Sequence, residues 1–230
     1  MRQRREIQIA IDGPAGAGKT SVGRLVARRL GMRFLDTGLT YRAMTLAAVR
    51  RRVKVDDSAG LARLAAEIHI DVREGTGGEP RVLVDGKDVS DRLRSAEIDE
   101  SVSAVSAVPA VRRRMVEVQR AIAAAGSIVM AGRDIGTVVL PEAELKVFLT
   151  AGDETRARRR YEEVRSHDGA PSYGEVLDAL RRRDRIDSER DASPLRPAEG
   201  ARMVDTDGMT LEEVVTKVCE LAGAEMATKN

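Results

Sequence analysis

Gly13-Pro14-Ala15-Gly16-Ala17-Gly18-Lys19-Thr20 stands between an apolar run at 7–11 and a segment at 19–30 with the spacing of a helix. The stretch fits G-x-x-x-x-G-K-[ST], the pattern of a phosphate-binding loop. With no side chain at 13, 16 and 18, backbone N–H groups can curl around a polyphosphate, and the helix that follows points the positive end of its dipole at the same anion. Lys19 would then reach the β- and γ-phosphates, and the Thr20 hydroxyl would ligate magnesium. Ser21 lies in the same first helical turn. The plain alternative is a glycine-rich turn joining strand to helix, and the flanking strand and helix count against it.

Around this loop, short β-rich runs alternate with helical segments: a run at 33–35, a helix over 41–52, then runs at 128–130, 145–149 and 202–204. The rhythm predicts an α/β fold with a parallel sheet flanked by helices. One region breaks it. Residues 69–73 and 81–85 alternate in polarity on either side of Glu74-Gly75-Thr76-Gly77-Gly78-Glu79-Pro80, and the turn dipeptide Asp85-Gly86 follows, so an antiparallel β insert is expected. Residues 109–125 read as a helix with Pro109 in its first turn and Gly126 just past its end. Between Asp153 and Arg190, two highly charged helical stretches flank Ser166-His167-Asp168-Gly169-Ala170-Pro171-Ser172. Beside a phosphate loop that hairpin reads as a lid; by itself it reads as a solvated helical pair.

Composition limits the classes of function. Of 230 residues 42% are apolar, enough for a sizeable core. Six of the 39 basic residues are Lys and 33 are Arg, and 37 acids leave a net charge of +2. That balance is not a polybasic nucleic-acid binder's, and aromatics at 2% offer few platforms for stacking single-stranded bases. Arginine in such excess suits bidentate capture of phosphates and carboxylates, although a biased genome yields the same excess. No apolar run is long enough to span a membrane, and the single cysteine, Cys219, makes no intrachain disulfide. The expectation is a cytoplasmic monomer with neither nucleic acid nor membrane as partner. His69 and His167 lie near no metal-spaced ligands, and no Ser-His-Asp context is recognisable, so zinc chemistry and acyl transfer are discounted. An N-K-x-D guanine-reading motif is also missing.

Three clusters accompany the loop. Asp36-Thr37-Gly38 follows the second run and precedes Tyr41-Arg42, bringing a carboxylate, a hydroxyl and a guanidinium to the carboxyl edge where open α/β sheets bind ligands; Asp36 or Thr37 equally reads as a helix cap. Gly132-Arg133-Asp134 leaves the run at 128–130 at the same edge. A Walker B acid usually ends the strand itself, so the intervening Gly132 and Arg133 favour substrate recognition; an ion pair closing a turn is the alternative. Arg183, Asp187 and Arg190 share one helical face, which without context reads as an ion-paired surface. In the lid, Arg156, Arg159 and Arg160 share another, from which a guanidinium could offset charge on a transferring phosphoryl group.

Ile9-Ala10-Ile11-Asp12-Gly13-Pro14-Ala15-Gly16-Ala17-Gly18-Lys19, Leu35-Asp36-Thr37-Gly38 with Tyr41-Arg42, Gly132-Arg133-Asp134-Ile135-Gly136-Thr137-Val138-Val139, and Arg183-Asp184-Arg185-Ile186-Asp187 with Arg190 together resemble the motifs of the bacterial cytidylate kinases, in that family's order. The likeness runs from about residue 7 to the C-terminal helix. It implies a P-loop nucleoside monophosphate kinase fold, with an antiparallel β insert in the monophosphate-binding region and a helical lid. The implied layout is a single kinase unit over 1–230: a core of 1–39, 93–150 and 191–230, a monophosphate-binding region at 40–92, and a lid at 151–190.

The resemblance further implies that ATP, bound with Mg2+ along Gly13 to Ser21, donates its γ-phosphate to CMP or dCMP. Ser103, Arg112 and Asp134 would read the cytosine edge, which presents an amino donor beside carbonyl and ring-nitrogen acceptors. Arg42, Arg133 and Arg190 would hold the CMP phosphate, Asp187 and Arg183 the ribose, with Asp36 and Thr37 also at the CMP. Lys19, Arg133 and Arg159 would be catalytic. Gly38-Leu39-Thr40-Tyr41 stands where Gly-Ala-Met-Tyr is expected, and Thr37 where some relatives have serine; neither departure removes a charged ligand. Two other readings remain: a phosphotransferase acting on UMP, AMP or a non-nucleotide acid, and a P-loop NTPase serving RNA or ribosome assembly.

Overall fold

The computed structural model describes residues 6–75, 79–166 and 170–228. In chain order the first elements are β1 (Gln8–Asp12), α1 (Lys19–Leu30), β2 (Arg33–Asp36), α2 (Gly38–Arg50) and α3 (Ser58–Glu67). Then come β3 (Ile70–Glu74), β4 (Pro80–Val84), β5 (Lys87–Asp88), α4 (Ala96–Ala107) and α5 (Pro109–Ala123). The last are β6 (Ile128–Gly132), β7 (Leu145–Thr150), α6 (Asp153–Val164), α7 (Tyr173–Glu189), β8 (Arg202–Asp205) and α8 (Leu211–Thr228). Two compact units result: residues up to Leu35 with those from Gly126 onward, and residues 36–125.

The first unit is built on a five-stranded sheet in the order β2-β6-β1-β7-β8. β1 pairs in parallel with β6 and β7, Ile9 lying level with Val129 and Leu145, and β7 pairs in parallel with β8. The apolar β1 and β6 are buried along almost their whole length, as strands covered on both faces must be. Val22, Val26 and Ala27 on α1 and Val214, Val215, Val218 and Ala222 on α8 pack with the sheet's Ile9, Ile11, Val147 and Leu149 into one core. A fully buried isoleucine such as Ile9 or Ile11 contributes about 1.5–3 kcal/mol over an exposed one. α1 ends at Gly31, whose left-handed conformation lets its N–H reach the Ala27 and Arg28 carbonyls.

The second unit holds an antiparallel sheet in the order β3-β4-β5. The predicted hairpin forms, with Ile70 opposite Val84 and Val72 opposite Val82; Thr76, Gly77 and Gly78 of its loop lie outside the described residues. Asp85 and Gly86 both take left-handed backbone (φ 51° and 77°), the turn that returns the chain as β5. Residues 93–125, grouped with the core in the sequence reading, fall in this unit instead. The reason is packing: Ile98, Val102 and Val105 of α4 and Val111 and Met115 of α5 share a core with Met44, Leu61, Leu64 and Val82.

Boundaries moved where caps intervene. α2 starts at Gly38, three residues before the expected 41, because the Asp36 carboxylate accepts from the Gly38 N–H at 2.9 Å. Asp36 thus bonds the first helical amide from one residue outside the N-cap position, which is Thr37. α3 and α4 are missing from the sequence reading although both carry ordinary caps, Asp57 accepting from Gly60 at 2.8 Å and Ser95 from Ile98 at 3.4 Å. α6 and α7 form the expected charged helical pair, α7 opening in a Ser172–Glu175 capping box. His167, Asp168 and Gly169 between them lie outside the described residues. Among the described residues no helix is long and apolar enough to cross a membrane.

Candidate active site

The glycine loop leaves the carboxyl end of β1 and enters α1 through Gly18 (φ 85°). Gly13 is obligatory: a Cβ there would stand 2.2 Å from the Leu149 carbonyl oxygen, so only glycine lets the loop pass β7. Gly16 (φ 75°) likewise leaves room for the backbone of α6, since its Cβ would come within 3.1 Å of the Arg156 carbonyl oxygen. Lys19 is buried and its Nζ donates to the Pro14 carbonyl at 2.6 Å, folding the ammonium back across the loop.

α6 and α7 both reach this loop. Arg156, 3% exposed, donates through Nη1 to the Ala15 carbonyl at 2.9 Å and to Asp184 at 2.5 Å, through Nε to the Ala151 carbonyl at 2.9 Å, and pairs through Nη2 with Asp153. Asp184 in turn accepts from the Ala15 N–H at 3.4 Å. Arg156 therefore joins α6 to the phosphate loop. Arg159 donates to the hydroxyl and carbonyl of Thr206 at 2.9 and 2.7 Å, and Arg160 to Glu163 at the surface.

The Gly-Arg-Asp segment emerges from the end of β6. Arg133 Nε donates to Asp187 at 2.9 Å, and Arg190, one residue past α7, donates to the same carboxylate at 3.4 Å and to the Ser193 carbonyl at 2.7 Å. Burial alone raises the Asp187 carboxyl; the guanidinium of Arg133, followed by those of Arg183 and Arg190, reverses that and holds it below the usual carboxylate range. Arg133, Arg183, Asp187 and Arg190 are thus brought together in one unit, with Asp134 buried beside Arg133 in sequence.

The remaining predicted contacts belong to the second unit. Arg42 donates to the Leu93 carbonyl at 2.8 Å and to Asp99 at 2.5 Å. Arg112, buried, stacks over the Tyr41 ring at 5.3 Å from its centroid and donates to the Ser106 carbonyl at 3.2 Å, while the Ser106 hydroxyl donates to the Ser103 carbonyl at 3.0 Å. Ser103 and Arg112 are therefore neighbours through Ser106. Thr37 is buried; its carbonyl accepts from the Thr40 hydroxyl at 2.8 Å.

The residue that sequence reasoning passed over is Asp12. It closes β1, is 3% exposed, and accepts from the Ile135 and Gly136 N–H groups at 2.7 Å each. Burial pushes its carboxyl up to about 6, against the lowering effect of those two hydrogen bonds and of Lys19, and with Asp134 adding to the rise. An acid ending an otherwise apolar strand, one residue before Gly13, was the available signal. Asp99 and Asp184, the partners of Arg42 and Arg156, were also missed; only the tertiary fold brings them there.

A central β1 feeding a glycine loop into a helix, inside a sheet ordered β2-β6-β1-β7-β8, is the arrangement of a P-loop nucleotide-binding fold. A family model described as cytidylate kinase matches residues 9–224. The chain belongs to the cytidylate kinase family, and so is a nucleoside monophosphate kinase. A cytidylate kinase of Pelotomaculum thermopropionicum is 49% identical over 210 residues, covering 91% of this chain and 93% of that protein. One of Carboxydothermus hydrogenoformans is 46% identical over 217 residues, covering 94% and 97%. A crystal structure of an uncharacterized protein from Eubacterium ventriosum aligns with 96% of this chain and 99% of its own, at 12% identity and a TM-score of 0.52, a likeness of fold.

Proposed function

We propose that the protein transfers the γ-phosphate of ATP to CMP or dCMP, giving ADP and CDP or dCDP. Family membership supports the reaction, and the observation that carries the acceptor half is the gathering of Arg133, Arg183 and Arg190 on the single carboxylate of Asp187. Guanidiniums gathered in this way present paired N–H donors of the kind that bind phosphate oxygens.

In this reading ATP lies along Gly13 to Ser21. Lys19 exchanges its Pro14 carbonyl partner for the β- and γ-phosphates. Among the described residues no group of three or more His, Cys, Asp or Glu is gathered that could hold a metal. The hydroxyl of Thr20, at the start of α1, would hold the magnesium ion that arrives with the nucleotide. When bound, magnesium neutralises charge on the phosphate oxygens. The CMP phosphate oxygen is already anionic and needs no general base, so the chain's part is positioning and charge screening. Arg133 and Arg190, with Arg42, orient that phosphate; Arg183 and Asp187 hold the sugar; Ser103, Arg112 and Asp134 read the base; Asp36 and Thr37 complete the contacts. Arg159 would leave Thr206 to meet the transferring phosphoryl group. Residues 151–190 would act as a lid, 40–92 as the monophosphate-binding region, and the enzyme as a cytoplasmic monomer.

The decisive assay is ADP release coupled to absorbance across CMP, dCMP, UMP, AMP and GMP. Turnover with CMP and dCMP well above the others is expected; a preference for UMP or AMP would move the chain to another acceptor.

A further inference from the structure

We propose that Asp12 is a positioning residue for phosphoryl transfer: from the end of β1 its carboxylate anchors segment 132–137 and so fixes where Arg133 and Asp134 stand relative to Lys19. The inference rests on the reading of Arg133 and Asp134 as CMP contacts.

Three observations carry it. The first is register. Asp12 lies level with Gly132 across the β1–β6 pair, so the residue that launches the phosphate loop sits beside the one that launches Arg133. The second is the completeness of the clamp. Beyond Asp134 the chain makes a single π-helical turn, Ile135–Val139, whose first N–H groups have no acceptor within the turn. Oδ1 of Asp12 takes the Ile135 N–H and Oδ2 takes that of Gly136, both at 2.7 Å. Arg133 is thus tied at both ends: its backbone lies two residues before one of these amides, and its head group meets Asp187.

The third is the lack of slack. A Cβ on Gly136 would stand 3.4 Å from Asp12 Oδ2, 3.3 Å from Lys146 Cγ and 3.1 Å from Ala198 Cβ. At Gly136 the turn thus packs closely against Ala198 and Lys146, with the carboxylate at ordinary contact distance. A neutral cap would satisfy one N–H at far lower desolvation cost, whereas only a carboxylate satisfies two at once without bringing a competing donor. Its charge also faces the Lys19 ammonium, so the same group ties the loop's cation and the Arg-Asp pair to one point. Lys19, Asp134 and Lys146 are the charged groups around this point.

Asp12→Asn tests the idea. The amide keeps one acceptor oxygen and sets an NH2 against the other N–H. In steady-state assays the KM for CMP should rise at least about tenfold while that for ATP changes less than about threefold. Arg133→Ala is the companion variant. A parental CMP KM in Asp12→Asn with a raised one in Arg133→Ala overturns the role of Asp12 and leaves the CMP reading standing. Parental values in both overturn that reading, and this inference with it. An equal rise in both KM values, or a lower Tm with unaltered KM, makes Asp12 a scaffold residue only. Should Asp12→Asn fail to fold, Gly136→Ala displaces the clamped turn by crowding Ala198 and Lys146 with the acid in place; a CMP KM raised about threefold or more is expected, and a parental value refutes the proposal.

Discussion

Asp12 and Asp187 are almost equally buried, at 3% and 4% exposure, yet their carboxyls move in opposite directions. Both lose hydration, which raises an acid's pKa. What differs is the company. Asp12 meets backbone N–H groups, which offset part of the cost, and a second acid, Asp134, which adds to it. Asp187 meets three guanidiniums, which reverse it. Backbone dipoles hold a carboxylate and can hold a chain in place through it; a cluster of guanidiniums holds it with groups that also bind phosphate. One buried acid thus reads as a joint in the frame, the other as the counter-ion of an anion site.

The contrast breaks first at the loop. Lys19→Ala removes the cation that faces both Asp12 and the phosphates. Turnover should fall by about 10²–10³ or more, the cost of losing one charge-stabilising donor at a reacting phosphoryl, and the Asp12 carboxyl should rise further. Full activity in this variant would take the glycine loop out of the mechanism.

Next in size is the other acid's company. Arg133→Ala deletes the cation that lowers Asp187 most. A hydrogen bond to a charged group contributes about 1.5–3 kcal/mol, so kcat/KM for CMP should drop roughly 10- to 150-fold with ATP binding near normal. An unchanged kcat/KM would make the arginine cluster a structural network like that around Asp12, and the contrast would collapse.

Much of this was legible in the sequence because it is local. Gly13 to Thr20 is one contiguous motif whose glycines each meet a steric demand, and the sheet follows from apolar runs alternating with helical spacing. The +4 spacing of Arg183 and Asp187 foretold their shared face on α7, whereas Arg190 meets Asp187 from just past the helix end. What stayed hidden depends on contacts between residues distant in the chain. Arg156 and Arg159 are indistinguishable by spacing, and only the packing of α6 on Gly16 shows that Arg156 meets the loop while Arg159 meets Thr206. Asp12 was masked by its neighbour: an acid beside the glycine motif is read as part of the strand, and the amides it binds lie 123 and 124 residues away. That residues 93–125 pack with 36–92 was hidden for the same reason, since nothing local says which core α4 and α5 will join.

The sharpest comparison leaves activity unperturbed, because it is read in the ligand-free enzyme and avoids the CMP phosphate, whose own second ionisation falls near pH 6. Burial pushes the Asp12 carboxyl up to about 6 in the folded state against 3.8 unfolded. Between those values the folded state holds the extra proton, so acidification through that window adds stability from this group, on the order of 3 kcal/mol at one unit per 1.36 kcal/mol. Asp187 has the opposite sign: its folded value lies below 3.8, so its contribution is present above that pH and is lost as pH falls through the folded value. Carboxyl ¹³C titration should find Asp12 at its midpoint near pH 6 and Asp187 still ionised when the exposed carboxylates, at about pH 4, are half protonated. If the two acids titrate together, backbone amides and guanidiniums are equivalent hosts in this protein, and the division between joint and binding site loses its physical basis.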